Sequence, residues 1–506
     1  MRKLTLCLFL LIFTALPVFA EEAPLSVDAR LDSILRPFAD SISKVVFYSI
    51  PVAGQSIPIV LLLLAGTSLI LTFYFKFVNL RAIGTAFRTV AGKYTDKDAP
   101  GEITHFQALS AALSATVGLG NIAGVAIAIC AGGPGAAFWM ILVGFLGMTS
   151  KFCECTLGVK YRKIDALGKV SGGAMYYLSQ GLKERGMGGL GKVLAVFFAV
   201  MCVGGALGAG NMFQVNQAQA QFSSVTGMLV DQGWIFGLIV SILVGAVIIG
   251  GIRSIARVTS TLVPLMCGIY IAAAVVVLIM NIGAVPTVFS RIITEAFKPD
   301  AIITGGFIAV FIQGIKRAAF SNEAGVGSAP IAHSAVKTNH PASEGLVALL
   351  EPFFDTVVVC SLTAFVILST GTYDDYAGQS LASWEVGVEV TSQAFGSAIP
   401  WFPYVLMVAV ILFAFSTMIS WSYYGERAIT YLFGDNKAVL LGYRILFCLC
   451  TVVGASASLG SVIDASDAMF FAMVVPNLIG LYLLLPVVKN ETAKFMAHVK
   501  EVESGE

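Results

Sequence analysis

The chain has 506 residues, 57% of them hydrophobic and only 12% charged, with a mean hydropathy of +0.86. Soluble domains carry about 25% charged residues, so this composition cannot cover a water-facing surface. Lys+Arg 31 against Asp+Glu 30 leaves a net charge of +1; with no basic field to hold a phosphate backbone, nucleic-acid binding is excluded.

At the N-terminus, Met1-Arg2-Lys3 followed by Leu4 to Phe19, with Val18-Phe19-Ala20 before Glu21-Glu22, reads as a secretory signal over 1–20; an uncleaved anchor is the alternative. The amphipathic stretch 21–56 then lies on the exported side. No Asp, Glu, Lys or Arg occurs between Glu102 and Lys151, Lys192 and Asp231, Arg257 and Arg291, Asp355 and Asp374, or Glu389 and Glu426. About 20 apolar residues cross a bilayer, so these gaps read as membrane spans. The 48 residues between Glu102 and Lys151 suit two helices turning at Ala131-Gly132-Gly133-Pro134. The fold class is all-α and polytopic, with eleven spans at 57–76, 105–131, 134–158, 191–217, 233–252, 258–282, 301–335 (interrupted), 345–369, 400–425, 438–457 and 462–487. With the mature N-terminus outside, nineteen cations fall on inner segments and five on outer ones, as the positive-inside rule requires for a cytoplasmic C-terminus.

Cysteine and histidine imply neither a disulfide framework nor a metal centre. Cys153-x-Cys155 and Cys448-x-Cys450 each place two residues on different helix faces, and His105, His333, His340 and His498 show no ligand spacing. Function therefore rests on polar groups at membrane depth, which form five clusters.

The first, Ser114-Ala115-Thr116-Val117-Gly118-Leu119-Gly120-Asn121-Ile122-Ala123-Gly124, falls mid-span. Gly118 and Gly120 weaken the helix where Ser114, Thr116 and Asn121 offer oxygens, which favours an unwound centre; a packing face through Gly120 and Gly124 is the alternative. A broken helix exposes carbonyls that ligate a cation on one half and amides that hold a carboxylate on the other. In the second, Phe320-Ser321-Asn322-Glu323-Ala324-Gly325-Val326-Gly327-Ser328-Ala329-Pro330, the device repeats about 200 residues later. Two broken spans, first and sixth of ten, mark an inverted five-plus-five repeat; a cytoplasmic loop starting early at Lys316-Arg317 is the alternative. The third is Asn211, Gln214 and Gln217 on one helix face, either a polar helix end or, at Gln214, a substrate contact. The fourth, Ser416-Thr417-Met418-Ile419-Ser420-Trp421, offers hard oxygen ligands for a small cation, with Trp421 walling a pocket or lying in an interface belt. The fifth is Glu351 and Asp355 at i, i+4, either a proton or cation relay or, more in keeping with their depth, partners for groups such as Lys316 and Arg317.

Val117-Gly118-Leu119-Gly120-Asn121 in a broken first core helix resembles the signature of sodium-coupled transporters with the LeuT fold. The second cluster, with Gly210-Asn211-Met212-Phe213-Gln214-Val215-Asn216 and Trp421-Ser422-Tyr423-Tyr424-Gly425-Glu426-Arg427, is similar to the alanine/glycine:cation symporter family over about Ile57 to Val488. The resemblance implies sodium-coupled uptake of alanine or glycine by alternating access across a bacterial inner membrane, with no cofactor beyond the coupling ion. It implies an extra transmembrane helix at 57–78, repeats at 104–282 and 301–488 and a cytoplasmic tail at 489–506. Carried over by motif, sodium meets carbonyls of Ser114 and Val117 and hydroxyls of Ser416 and Thr417. The substrate carboxylate meets amides around Gly118 to Asn121, beside Thr116 and Gly120. Its ammonium faces carbonyls near Ala319 and Phe320, and Gln214, Phe320 and Trp421 line the cavity. A channel would need a continuous polar pore, and an intramembrane enzyme a nucleophile with a base, neither of which the sequence offers.

Overall fold

The computed structural model describes residues 36–37, 40–52, 55–96, 98–298, 306–377, 385–456 and 460–505. The expected signal segment 1–20 lies outside them, as do 301–305 at the head of the interrupted span. After a short hairpin, β1 (Ser49–Val52) against β2 (Gln55–Pro58), the described chain is overwhelmingly helical.

Among the described residues, helical segments overlap each of the expected ranges, with 462–487 divided between two helices. In chain order they are α1 (Ile59–Tyr74), the broken pair α2 (His105–Thr116) and α3 (Gly120–Gly132), α4 (Gly135–Lys160), α5 (Gly188–Thr226), α6 (Gly233–Ile248) and α7 (Gly251–Met280). A second broken pair follows, α8 (Phe307–Asn322) and α9 (Pro330–His333), then α10 (Pro341–Ser369) and the loop helix α11 (Glu385–Ala398). The chain ends with α12 (Phe402–Phe433), α13 (Lys437–Gly454), α14 (Gly460–Ala472) and α15 (Val474–Ser504). Seven described helices are long and apolar enough to cross a membrane alone, or eight if the α2–α3 pair counts as one. α1 and α6 are shorter apolar helices. Within the expected tail, 489–504 continue α15, whose end is held where Arg88 Nη1 meets Glu503 Oε1 at 2.7 Å.

Local chemistry fixes the key boundaries. α2 starts in a capping box: Thr104 Oγ1 accepts from the Gln107 amide at 3.2 Å, and Gln107 Oε1 accepts from the Thr104 amide at 3.1 Å. Gly133, at φ 75°, turns the chain ahead of Pro134 and α4, as the Gly-Gly-Pro run predicts. α4 and α12 are largely buried over their central turns. α7 and α13 expose apolar side chains such as Leu265, Ile269, Leu441 and Leu449, an exterior fit for hydrocarbon.

Candidate functional site

α2 ends at Thr116, Val117 turns extended at ψ 100°, and α3 resumes at Gly120 with a tilt of 53°. Asn121 holds this gap open: its Oδ1 accepts from the Gly118 amide at 2.7 Å, while its Nδ2 donates to Asp355 Oδ1 at 2.7 Å. The Gly118 amide is thus already engaged, which leaves Leu119 and Gly120 as first-turn amides without an acceptor inside their own helix. Gly120 sits at a close approach, because a Cβ there would lie 3.2 Å from the Ser321 Cα on the other broken helix. Gly124, by contrast, faces nothing within 4 Å, so the packing reading of Gly120 and Gly124 reduces to one glycine.

The second gap opens at Glu323, inside the cluster expected from the sequence. α8 runs through Lys316 and Arg317 to Asn322, which removes the early-loop alternative. Glu323 caps it in the left-handed region at φ 56°, its amide donating to Ala319 O at 3.0 Å; Gly325 and Gly327 follow, also left-handed, before Pro330 opens α9. A glutamate in that conformation is uncommon and marks a position held by its surroundings. Ser328 Oγ donates to one Glu323 oxygen, and Trp421 Nε1 donates to the other at 3.2 Å.

Asp355 joins the two gaps. Besides Asn121, it accepts from Ser321 Oγ at 2.9 Å and from Thr356 Oγ1 at 2.7 Å. Glu351, one turn earlier, meets Lys151 Nζ at 3.2 Å and His333 Nε2 at 2.5 Å. Lys316, one of the partners expected from sequence, pairs with Asp467 at 3.4 Å instead. The chain of contacts continues from His333 Nδ1 to Glu344 at 2.5 Å and on to His105, whose partner is therefore Glu344. Cys155, His333 and Glu351 converge closely enough to ligate a metal. Both His333 nitrogens face carboxylates, and the other Glu351 oxygen faces Lys151, so those donors are already committed.

α12 is stitched to the end of α2 by hydroxyls. Ser114 Oγ donates to Ser416 O at 2.6 Å, Thr417 Oγ1 to Ser114 O at 3.0 Å and Ser420 Oγ to Ala111 O at 3.0 Å. Ser416 Oγ donates to Phe413 O at 2.9 Å. Neutral hydroxyls and carbonyls thus gather around Ser114, Ser416 and Thr417, a donor set suited to a hard monovalent cation.

Beside them, both gaps and α12 enclose a small cavity of ≈ 20 Å³. Among the residues singled out from sequence, Thr116, Gly118, Gly120, Gln214, Phe320 and Trp421 line it, while Asn121 and Ala319 do not. Thr417, assigned only to the ion, lines it as well. Glu323 and Phe470 line it without having been marked by any motif as substrate contacts. Gln214 Oε1 is buried without a partner, whereas its Nε2 donates to Ala209 O at 2.9 Å. Asn211, on the same face, is a brace instead: it donates to Phe447 O at 2.7 Å and accepts from Thr451 Oγ1 at 2.8 Å.

Two helices interrupted side by side, with a small cavity between the gaps, are the architecture of a secondary transporter of the broken-helix class. The fold is similar to that of MhsT in complex with L-phenylalanine, a LeuT-fold transporter, with a TM-score of 0.51 at 14% sequence identity over 78% of this chain and 99% of that one. The sodium:alanine symporter family profile matches residues 42–506, and the chain belongs to that family of transporters. It is 42% identical to the sodium/alanine symporter AgcS of Methanococcus maripaludis over 87% of this chain and 94% of that one. It is 34% identical to the probable sodium/glutamine symporter GlnT of Bacillus subtilis over 85% of this chain and 86% of its relative.

Proposed function

We propose that the protein is a sodium-coupled symporter that imports a small neutral amino acid, alanine or glycine, by alternating access. The observation that carries this reading is the double position of Thr417: its hydroxyl meets Ser114 O in the neutral oxygen cluster and also borders the cavity. A cation drawing in the carbonyls of Ser114 and Val117 with the hydroxyls of Ser416 and Thr417 pins α2 to α12. That fixes the gap whose second half presents amides to a carboxylate. The substrate ammonium is served by the partnerless Gln214 Oε1 and by the last-turn carbonyls of α8 at Ala319 and Phe320. Phe320, Trp421 and Phe470 leave little room for a side chain, which favours alanine or glycine over the larger glutamine named for one relative. The distribution of cations supports a bacterial inner-membrane protein with its N-terminus outside and its C-terminus in the cytoplasm.

Equilibrium binding of labelled alanine to the purified protein at increasing sodium tests the proposal. Coupling is reciprocal, typically about 1–3 kcal/mol, so alanine affinity should rise with sodium and sodium affinity with alanine. Affinity independent of sodium would refute symport. A proton-coupled carrier is the second reading, favoured by the buried His105–Glu344–His333–Glu351–Lys151 chain; uptake driven by a pH gradient without sodium would select it.

A further inference from the structure

Trp421 is held on more than one side. Its ring lies against Gly210, where a Cβ would come within 2.3 Å of its Cγ, so that helix face can carry no side chain while the indole stays in place. The Phe470 ring packs 6.1 Å from it, between Trp421 and Phe320. These contacts restrict the indole without fixing its rotation, because apolar surfaces have no directional preference. The directional contact is the indole N–H, which donates to Glu323 Oε1 at 3.2 Å. Glu323 is itself immobilised: it is 2% exposed, it caps α8 in a left-handed conformation, and its other oxygen takes the Ser328 hydroxyl.

We infer that Glu323 is a specificity-determining positioning residue: its carboxylate holds the Trp421 indole against Gly210 and so sets the width of the cavity available to a substrate side chain. The inference rests on the amino-acid symport reading and adds to it the group that limits side-chain size. Glu323 acts through Trp421, so two independent changes should have one consequence. Glu323→Ala removes the acceptor, and Trp421→Phe removes the donor while keeping an aromatic wall. Each should relax discrimination between alanine and valine, which a well-fitted apolar site makes by about 10- to 200-fold for small differences in carbon count. Because both act on the same bond, the double variant should discriminate no worse than the poorer single. Glu323→Gln keeps a carbonyl acceptor and should retain most of the wild-type ratio.

The experiment is competition of unlabelled alanine, valine and leucine against labelled alanine on each purified variant in sodium, with thermal stability followed in parallel. The expected result is a collapse of the alanine-to-valine ratio in Glu323→Ala and Trp421→Phe, with rescue in Glu323→Gln. A purely structural role for Glu323 would lower stability and leave the ratio intact, and that outcome overturns the inference. So does loss of the ratio in Glu323→Gln as complete as in Glu323→Ala, since charge rather than the indole bond would then be responsible. Wild-type protein that binds no alanine at all would instead fail the symport reading itself.

Discussion

Replacing Thr417 by valine removes one hydroxyl at nearly constant volume, at the one residue that touches both the oxygen cluster and the cavity. Before any ligand binds, the change strips Ser114 O of its donor at 3.0 Å. A buried group left unsatisfied costs about 1–3 kcal/mol, so the variant should be less stable but folded. A hydrogen-bond-like contact to a charged partner is worth about 1.5–3 kcal/mol, so loss of the Thr417 oxygen should weaken sodium binding roughly 10- to 150-fold. Alanine affinity should fall by a similar factor at low sodium and recover substantially at saturating sodium, because the ion still preorganises the gap once bound. Thr417→Ser keeps the hydroxyl and should restore most of the sodium affinity. The measurement is a two-dimensional titration of labelled alanine binding against sodium for wild type, Thr417→Val and Thr417→Ser. The reasoning is refuted if Thr417→Val binds sodium as wild type does, or if the serine variant is as impaired as the valine one.

Gly120→Ala puts a methyl 3.2 Å from the Ser321 Cα, an overpacking worth about 1–3 kcal/mol; it should depress thermal stability and uptake together, whereas Gly124→Ala, facing open space, should do neither. Glu351→Gln takes the counter-charge from buried Lys151, and breaking such a pair costs about 3–5 kcal/mol, so yield and melting temperature in detergent should drop. Unchanged stability with a lost pH dependence of uptake would instead make Glu351 a proton carrier. At the end of α15 the His340 and His498 rings stack with centroids 4.3 Å apart, and partial burial followed by the charge on His498 holds His340 below its ordinary value of 6.5. A depressed histidine pKa means that the folded state resists protonation. The stack is therefore intact at neutral pH and weakens as pH falls through the ordinary value towards the folded one. Amide exchange at residues 495–504 should accelerate as the pH falls below 6.5, and His498→Ala should abolish the change.

Both helix interruptions are legible in the sequence because their causes are local. Glycines at Gly118 and Gly120, and Asn322-Glu323 ahead of a Gly-x-Gly and a proline, weaken a helix wherever they stand. The hydroxyls of Ser416 and Thr417 are legible for the same reason. The role of Asp355 is not, since its partners Ser321 and Asn121 are 34 and 234 residues away, and only the crossing of the two broken helices brings them together. Phe470 stands in an apolar run with nothing to distinguish it from core. His105 and His333 look solitary because the glutamates that partner them arrive from α10. That Glu323 caps α8 in a left-handed conformation is not legible, because its side chain is held by Ser328 and by the distant Trp421.

The polar contacts between α2 and α12 include three hydroxyl-to-carbonyl bonds, from Ser114, Thr417 and Ser420, without a formal charge in any of them. Transmembrane voltage does about 2.3 kcal/mol of work per elementary charge per 100 mV, and it has no charge to act upon in that seam. Parting the seam is consequently electroneutral. Under the proposed sodium symport the bound cation is the charge this seam carries, so transient currents recorded as it parts would report the transported ions.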